Sequence, residues 1–387
     1  MTCSELDPLN LSIEMMNIPS VSPSQDEAID HLIAYLEPIG FICYKLRFSD
    51  VTNLYARKGS SGRNLCFAGH VDVVPAGEGW DSDPFIAEIK DGYLYGRGAV
   101  DMKPAIAAFI AAVSRLTEMN DNSISLLISG NEEGDSTYGT PKVLEWLDKQ
   151  GEKLDACIVG EPTNPSVLGQ MIKVGRRGSI NFELVVKGIQ GHAAYPDIAV
   201  NPVNKICFAL ADLKRHQFDG GTSYFPPSNL EVTNIHVGNS ARNVIPASAS
   251  ASINIRFNDL HNKDGISSLV GRIIDQHTKD YELKVISSFD PFFNEPGELA
   301  LIAKKAVKEV TGLDAVFGSD GGTSDARFIH KYCPIIEFGL NNEMAHKANE
   351  RVKVSDIRLL TDIYCLIITK FFSNSTSAKN ENDNSDL

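Results

Sequence analysis

The fold is decided by the stretch LCFAGHVD at residues 65–72, in which a short apolar run ends in side chains that can bind metal. Such a run, bounded by turn residues, is typical of a buried strand. The pattern recurs at 124–130, before Asn131-Glu132-Glu133, and at 156–160, before Glu161. Open α/β sheets bind their ligands beyond the carboxyl ends of such strands. The sequence therefore predicts an α/β fold with its chemistry at one edge of a sheet.

Strand-like and helix-like segments alternate between 27 and 147, which favours a mostly parallel mixed sheet flanked by helices. Between 179 and 290 the order becomes β-α-β-β-α-β, which is that of a ferredoxin-like α+β unit. We therefore expect a discontinuous catalytic domain at 1–178 and 291–372, with an inserted domain at 179–290. Residues 373–387 are polar and lack aromatic side chains, so we expect a disordered tail.

Two histidines and three carboxylates form a candidate set of metal ligands: His70, Asp101, Glu133, Glu161 and His346. This set can give each of two ions three ligands only if one carboxylate bridges them. Asp101 is the natural bridge, since its two oxygens can bind one ion each. His70 and Glu161 would then complete one ion, and Glu133 and His346 the other.

Two acidic residues beside these ligands are left for other roles. Glu132 is adjacent to a ligand without being one, which suits a general base that deprotonates a water between the ions. Asp72 follows His70 by two residues, on the same side of a strand, and can orient its imidazole. A lone histidine or an acidic pair usually has a structural or solvated role. The metal prediction rests on the whole set at successive strand ends.

Further motifs extend the pattern over nearly the whole chain. They are GHVDVVP at 69–75, WDSDPF at 80–85, YGRGAVDMK at 95–103, NEEG at 131–134, GEPT at 160–163 and AHKANE at 345–350. Together they resemble the M20 family of di-zinc aminoacylases and carboxypeptidases. Two positions depart from the family pattern: Asn131 replaces the usual Asp, and Pro104 replaces the usual Gly. Neither is a candidate ligand, and Pro104 is compatible with the first turn of a helix.

The resemblance implies a zinc-peptidase-like catalytic domain with two Zn2+ ions per subunit, Co2+ being able to substitute at one site. It also implies that the inserted domain is a lid that pairs two subunits in a homodimer. His192 would reach the partner's active site and donate a hydrogen bond to the oxyanion, accompanied by Asn243. The alternative for His192 is a turn histidine that binds local carbonyls. A cis peptide after Asp101 is a further implication.

Blocks at 175–179, 188–196 and 321–327 resemble the members of the family that remove an N-succinyl group from an amino-acid substrate in lysine biosynthesis. Guanidinium groups pair with carboxylates at two points, which Lys does not, so the arginines would bind the substrate's carboxylates. Ordinary surface ion pairing is the alternative for each arginine. The resemblance places around the substrate Arg177, Tyr195, Asn243, Arg256, Gly322, Thr323, Ser324, Arg327 and Asn342.

Two other functions stay open. The nearer is another amidohydrolase of the same family, such as an acetylornithine deacetylase or a peptidase, which would differ in the acyl group and amine that the arginines accept. The remoter is a non-catalytic metal-dependent binding module. Glu132 beside a complete ligand set argues against that module, because binding alone needs no base.

Composition excludes several classes of function. With 387 residues, 43% of them hydrophobic, the chain is long enough for two domains with real cores. A net charge of −14 without a long Lys/Arg run argues against nucleic acid as a partner. The seven cysteines lack Cys-x-x-Cys spacing, and no apolar run approaches the ~18 residues of a membrane span. Residues 1–11 have no basic segment ahead of an apolar one, so we expect no secretory signal. The expected location is the cytoplasm.

Overall fold

The computed structural model describes residues 5–22, 25–119 and 121–382, with side chains as far as 373. It divides into two compact units. Unit 1 comprises Met1–Val174, Asn294–Gly318 and Ser324–Leu387, and unit 2 comprises Gly175–Phe293 and Ser319–Thr323. Unit 2 therefore starts slightly before the insert expected at 179, ends slightly after 290 and takes in a short later segment.

The elements of both units are named in chain order. The strands are β1 (Ile42–Phe48), β2 (Val51–Lys58), β3 (Asn64–His70), β4 (Glu88–Lys90), β5 (Tyr93–Tyr95), β6 (Ser123–Ser129), β7 (Ala156–Val159), β8 (Met171–Lys173), β9 (Gly175–Arg176), β10 (Gly178–Lys187), β11 (Gly191–His192), β12 (Asn229–His236), β13 (Val244–Ile245), β14 (Ser248–Phe257), β15 (Tyr281–Phe289), β16 (Phe292–Phe293), β17 (Val316–Gly318), β18 (Ile335–Glu337) and β19 (Arg351–Lys353). The helices are α1 (Pro8–Met16), α2 (Asp26–Leu36), α3 (Lys103–Ser114), α4 (Thr140–Gln150), α5 (Pro202–Arg215), α6 (Lys263–Ile274), α7 (Glu298–Thr311), α8 (Ala326–Ile329) and α9 (Val354–Asn382), with 3-10 turns at Glu37–Ile39 and Pro196–Ile198.

The largest sheet of unit 1 has the strand order β1-β2-β6-β3-β7-β18-β8-β17. Its centre is parallel, since β3 pairs in parallel with both β6 and β7, while β1 and β2 are antiparallel at one side. β3, β6 and β7 are buried along their whole length, as expected of parallel strands covered on both faces. The predicted α/β class with a mostly parallel mixed sheet is confirmed.

Helix α3 is buried almost completely, as its apolar residues on every side require. Phe109 of α3 stacks on Phe67 of β3 with ring centroids 4.4 Å apart, and Tyr364 of α9 lies edge-on to both. Pro104 lies in the first turn of α3, as the sequence predicts. This packing fixes the start of α3 against the sheet, directly after the turn that carries Asp101.

Unit 2 contains a four-stranded antiparallel sheet in the order β12-β14-β10-β15. Burial alternates along β10 and β14, so one face packs on α5 and α6 and the other does not. In chain order these elements are β10, α5, β12, β14, α6 and β15. The predicted β-α-β-β-α-β order is therefore present.

The C-terminal helix extends into the segment expected to be a disordered tail. α9 continues through Asn382, and the segment 373–382 contains no Gly or Pro; the disordered tail stays a prediction. Residues 383–387 of the expected tail lie outside the described residues. Within the part of the chain that is described, no helix is both long and apolar enough to cross a membrane.

Candidate metal centre and active site

Three neighbouring parallel strands deliver acidic and imidazole side chains to one sheet edge. His70 is the last residue of β3, Glu132 and Glu133 follow β6, and Glu161 follows β7. Parallel strands present their carboxyl ends at the same edge. All of these side chains belong to unit 1, so its fold alone brings them together.

Asp101 reaches this edge from the turn between β5 and α3. The next residue, Met102, packs against the glycines that precede His70 and Glu161. A Cβ atom at Gly69 would lie 2.6 Å from Met102 Cε, and one at Gly160 would lie 2.7 Å from it, so any larger residue at either place would displace the Met102 side chain. The Asp101-Met102 peptide is cis, as the resemblance implies.

The candidate ligand atoms form two groups that share Asp101. Oδ1 of Asp101 lies 3.1 Å from His70 Nε2, and Glu161 Oε1 lies 3.7 Å from the same nitrogen. Oδ2 of Asp101 lies 3.3 Å from His346 Nε2, and Glu133 Oε1 lies 2.9 Å from that nitrogen. Each carboxylate oxygen of Asp101 therefore faces a different histidine.

These separations fit a pair of divalent cations. Zinc bonds of about 2.0–2.2 Å in a tetrahedral site place neighbouring ligand atoms about 3.3–3.6 Å apart. The four separations, which run from 2.9 to 3.7 Å, lie around that value. Imidazole nitrogen and carboxylate oxygen are also donor types that zinc accepts. The residues present can therefore hold two such ions with Asp101 between them.

The electrostatics of the chain alone favour protonated histidines here. Burial lowers the pKa of His70, but its hydrogen bond to Asp101 and the charges of Asp101 and Asp72 raise it well above the usual value. Hydrogen bonds to Asp101 and Glu133 raise the pKa of His346 to about 10. Metal ligands must be deprotonated, so cations that bind at this site would displace these protons.

Glu132 lies among the candidate ligands. One of its carboxylate oxygens is within 4.8 Å of ligand atoms of His70 and Glu161. Burial, followed by the negative charge of Glu161, raises the pKa of Glu132 well above its usual value. A carboxylate with a raised pKa is suited to accept and return a proton near neutral pH.

Asp72 orders the backbone segment that bears Glu132 and Glu133. It is fully buried, and it accepts hydrogen bonds from Glu132 N at 3.1 Å, Glu133 N at 3.0 Å and Ser22 Oγ at 2.6 Å. His70 Nδ1 lies 2.9 Å from the backbone O of Asp72 and 3.6 Å from its carboxylate. The carbonyl of Asp72 is thus the closer partner of His70, whereas its carboxylate orders the segment after β6.

Arg327 contacts the loop that carries Glu132, a role that the sequence does not indicate. Its side chain is buried, and Nη2 donates to Ser136 Oγ at 2.9 Å. The Ser136 hydroxyl in turn donates to the backbone O of Glu132 at 3.2 Å. Nearby, Asp325 accepts a hydrogen bond from Thr140 at 2.6 Å. No motif marks Ser136, so only the folded chain reveals this contact.

The departure at Asn131 has a local explanation. Its amide nitrogen donates to Asp135 Oδ1 at 2.9 Å, which an Asp at this position could not do. Gly134 lies directly over the same amide, since a Cβ there would approach Asn131 Oδ1 to 2.0 Å. Asn131 therefore closes the loop that bears Glu132 without adding a carboxylate to it.

The last predicted substrate block is divided between the units. Gly322 and Thr323 belong to unit 2, where Gly322 O accepts a hydrogen bond from Arg176 Nη1 at 2.9 Å. Ser324 belongs to unit 1, is fully buried and donates to Glu337 Oε1 at 2.8 Å. Its hydroxyl proton is therefore already directed to a partner within unit 1.

Asn342 lies beside the segment that carries Glu161. Its backbone N–H donates to Asn164 O at 2.8 Å, and the N–H of Asn164 donates to Leu340 O at 3.2 Å. These bonds tie the segment after β18 to the segment after β7. Asn342 is thus brought near the candidate centre from within unit 1.

Three predicted residues gather in unit 2 around the small sheet of β11 and β13. His192 is exposed and pairs with Val244, and the N–H of Ala193 donates to Asn243 O at 2.8 Å. The ring of Tyr195 lies 5.5 Å from that of His192. His192, Asn243 and Tyr195 therefore form one exposed group, the His192 cluster.

A second group in unit 2 consists of two arginines on neighbouring strands. Arg177 immediately precedes β10 and donates to Asn229 Oδ1 at 2.8 Å, while Arg256 on β14 donates to Asn254 Oδ1 at 3.2 Å. Burial and the charge of Arg177 lower the pKa of Arg256. The Nε of Arg177 is buried without an acceptor among the described residues.

A parallel-centred α/β sheet with a shared carboxylate between two His-carboxylate groups is the architecture of a metallohydrolase with paired ions. The chain belongs to peptidase family M20/M25/M40, whose sequence pattern matches residues 66–370.

Two curated relatives extend the match to almost the entire chain. The succinyl-diaminopimelate desuccinylase of Ehrlichia canis is 50% identical over 376 residues, which cover 95% of this chain and 99% of the relative. The succinyl-diaminopimelate desuccinylase of Parvibaculum lavamentivorans is 50% identical over 386 residues, covering 97% and 98%.

Solved structures share the fold at much lower identity. An M20 family metallo-carboxypeptidase from Sulfolobus solfataricus matches with a TM-score of 0.76 at 18% identity, covering 94% of this chain and 99% of that chain. The aminopeptidase PepT from Bacillus cereus matches with a TM-score of 0.76 at 19% identity, covering 93% and 97%. At these identities the likeness shows the fold alone.

Proposed function

We propose that this protein is a metal-dependent amide hydrolase that cleaves N-succinyl-LL-2,6-diaminopimelate to succinate and LL-2,6-diaminopimelate, in lysine biosynthesis through diaminopimelate. The structural observation that carries the hydrolase is Asp101, whose two oxygens face two different histidines. The substrate is supported by near full-length relatives of that name at 50% identity.

His70 and Glu161 would hold one cation and Glu133 and His346 the other, with Asp101 shared. Zn2+ fits this donor set, and Co2+ is the expected substitute at one site. When bound, such cations polarise a carbonyl and lower the pKa of water. The chain itself supplies the ligand geometry and the proton acceptor.

Glu132 carries out the proton transfers. Its carboxylate accepts the proton that water loses as it attacks the amide carbonyl, because burial and the charge of Glu161 raise its pKa. It then gives that proton to the amide nitrogen, which cannot depart as an anion. The hydrogen bonds from the segment after β6 to Asp72 keep Glu132 in place for both transfers.

Arg177 and Arg256 bind a carboxylate of the substrate. The two guanidinium groups lie close enough for their charges to interact, and Arg177 Nε has no acceptor among the described residues. A carboxylate placed between them would relieve the repulsion and satisfy that donor. The N-succinyl substrate meets this requirement with the carboxylate of its acyl group or with those of its diaminopimelate part.

The His192 cluster acts, we infer, on the active site of a partner subunit in a homodimer. Arg177 precedes the ten residues of β10, whereas His192 follows that strand. A strand of ten residues spans about 33 Å, so Arg177 and His192 are far apart. Arg256 and Asn243 are likewise separated, because they lie near opposite ends of β14. One small substrate cannot touch both groups in one unit 2, so His192 would donate to the oxyanion in the partner.

We also propose a cytoplasmic location. The six cysteines among the described residues are free thiols. Cys66 and Cys157 are direct neighbours on β3 and β7 and remain unbonded, as a reducing compartment maintains.

The experiment is amide hydrolysis by the zinc-loaded protein, with N-succinyl-LL-diaminopimelate and N-acetylornithine offered in parallel and free amine followed. Cleavage of the first alone is expected. Cleavage of the second alone would keep the hydrolase and overturn the substrate. Cleavage of neither would favour the non-catalytic binding module.

A further inference from the structure

Glu350 is a buried carboxylate to which the proposed mechanism assigns no role. Its side chain has no solvent exposure. Oε2 accepts hydrogen bonds from Arg97 Nη1 at 2.7 Å and Gly98 N at 3.1 Å. Oε1 accepts from Val100 N at 2.7 Å and Asp101 N at 3.2 Å. One carboxylate thus organises the whole turn that ends in the shared ligand Asp101.

Arg97 extends this arrangement to two further segments. The guanidinium is 2% exposed, and besides Glu350 it donates to Ala76 O at 2.9 Å and to Lys347 O at 3.4 Å. It also lies 5.2 Å from the ring of Trp80. Arg97 itself lies in the turn before Asp101. It therefore links that turn to the segment after His70 and to the segment after His346.

The segment from His346 to Glu350 contains two residues in the left-handed backbone region. His346 has a φ of 62° and Asn349 a φ of 55°, which His and Asn adopt more often than most residues other than glycine. Asn349 is anchored to Asp81 by two hydrogen bonds, both 2.9 Å long: its Oδ1 accepts from the backbone N–H of Asp81, and its Nδ2 donates to Asp81 Oδ2. Glu350 closes the segment at its other end, four residues after the candidate ligand.

We propose that Arg97 and Glu350 form a positioning pair. This pair holds Asp101 and His346 at the spacing required by the cation that Asp101, Glu133 and His346 would bind. The inference rests on the proposed function, because it presupposes the metal site. Neither residue needs to touch substrate. Loss of outer partners of metal ligands typically weakens metal binding 10–100-fold. The pair should show that effect most strongly at the site that combines Asp101 with His346, since the other site depends on the pair through Asp101 alone.

The test uses the full chain, stripped of metal and titrated with Co2+, with visible absorption and calorimetry as readouts. In Glu350→Gln, the carboxamide presents an N–H group to backbone donors and the charge opposite Arg97 is lost. We expect the equivalent held by Asp101, Glu133 and His346 to bind about 10–100-fold more weakly, with a changed absorption band, and the other equivalent, which shares only Asp101, to be weakened less.

The matched control is Glu152→Gln. Glu152 pairs with Arg57 and accepts hydrogen bonds from Tyr55 at 2.9 Å and Asn64 at 3.0 Å. Asn64 begins the strand that His70 ends, so the control makes the same chemical change at the opposite end of β3. We expect both Co2+ equivalents to bind this variant as they bind the parent.

Arg97→Lys is a second variant. It keeps the positive charge, but a single ammonium group cannot donate to all of the backbone carbonyls that the Arg97 guanidinium contacts. We expect a weaker loss at the same site, and thermal unfolding without metal reports whether each variant folds. Unchanged Co2+ binding in both Glu350→Gln and Arg97→Lys, or an equal loss in Glu152→Gln, would overturn the positioning pair. A parent protein that binds fewer than two equivalents would instead refute the paired site on which the proposed function depends.

Discussion

The proposed metal ligands of unit 1 and the proposed recognition residues of unit 2 are held in different ways. In unit 1, the candidate ligands are backed by buried groups: Asp72 orders the segment of Glu132 and Glu133, and Glu350 orders the turn of Asp101. In unit 2, His192 is exposed, and Arg177 Nε is buried with no acceptor among the residues that the structure describes.

The difference follows from the chemistry of the two regions. Metal ligands and a base must stand in place before substrate arrives, since small displacements cost large factors in rate. Recognition groups can be completed by the substrate or by a partner subunit. Substitutions in each region test whether this division between a fixed site and an open one is correct.

The largest effect is expected at the fixed site. Glu132→Gln should lower kcat by about 10²–10⁴-fold, because the proton acceptor is lost, while both metal equivalents remain bound. Steady-state kinetics and metal analysis of the same sample check this. Full activity in this variant would remove Glu132 from proton transfer.

The next effect concerns the open region and its partner. His192→Ala should lower kcat by about 10²–10³-fold, the usual cost of one oxyanion donor. When His192→Ala and Glu132→Gln subunits are dissociated and mixed, about a quarter of parent activity should return, since half of the dimers are then mixed and each has one intact site.

The control is each variant dissociated and reassociated alone, which should regain nothing. If mixing restores no activity although mixed dimers are detected, His192 does not serve the partner's site.

Two arginines, one from each region, should respond differently. Arg177→Lys should raise KM by about 10–100-fold with little change in kcat, because a charged hydrogen bond to substrate is lost. Arg327→Lys should instead lower kcat with KM nearly unchanged, because Arg327 contacts Ser136 in the Glu132 loop. Equal effects on KM would mean that Arg327 also binds substrate, as the sequence predicts.

The smallest effect is a pH dependence of stability in unit 2. Burial raises the pKa of Asp219, but hydrogen bonds from Ser228, Gly221 and Asn258 together lower it by more. The pKa of Asp219 in the folded protein is therefore below the usual value. Such a carboxylate stabilises the fold above the unfolded pKa of about 3.9, and this contribution disappears as the pH falls through the folded value.

Asp219→Asn should therefore cost about 1–3 kcal/mol at neutral pH and less in acid. Urea unfolding of the parent and of Asp219→Asn, at pH 7 and below pH 4, measures the difference in their free energies of unfolding at each pH. A constant loss at both pH values would contradict the role of the charge.

The sequence predicts the sheet edge because each strand carries its own information. Three apolar runs end in His70, Glu133 and Glu161, and parallel strands necessarily bring their ends together. The order β-α-β-β-α-β is also local, as it depends on periodicity within short segments. The structure carries α9 through 373–382, whereas the polar composition of that segment favours a disordered tail, which stays a prediction.

The sequence alone therefore determined the fold class, the candidate ligands and their division around Asp101. Only the tertiary structure decided what holds them: Glu350 meets Arg97 across 253 residues, and Arg327 meets Ser136 across 191. Ligand types at strand ends form a pattern that a short window contains. A buried ion pair between distant segments leaves no such pattern in the sequence, because its partners become neighbours only when the sheet and helices have packed.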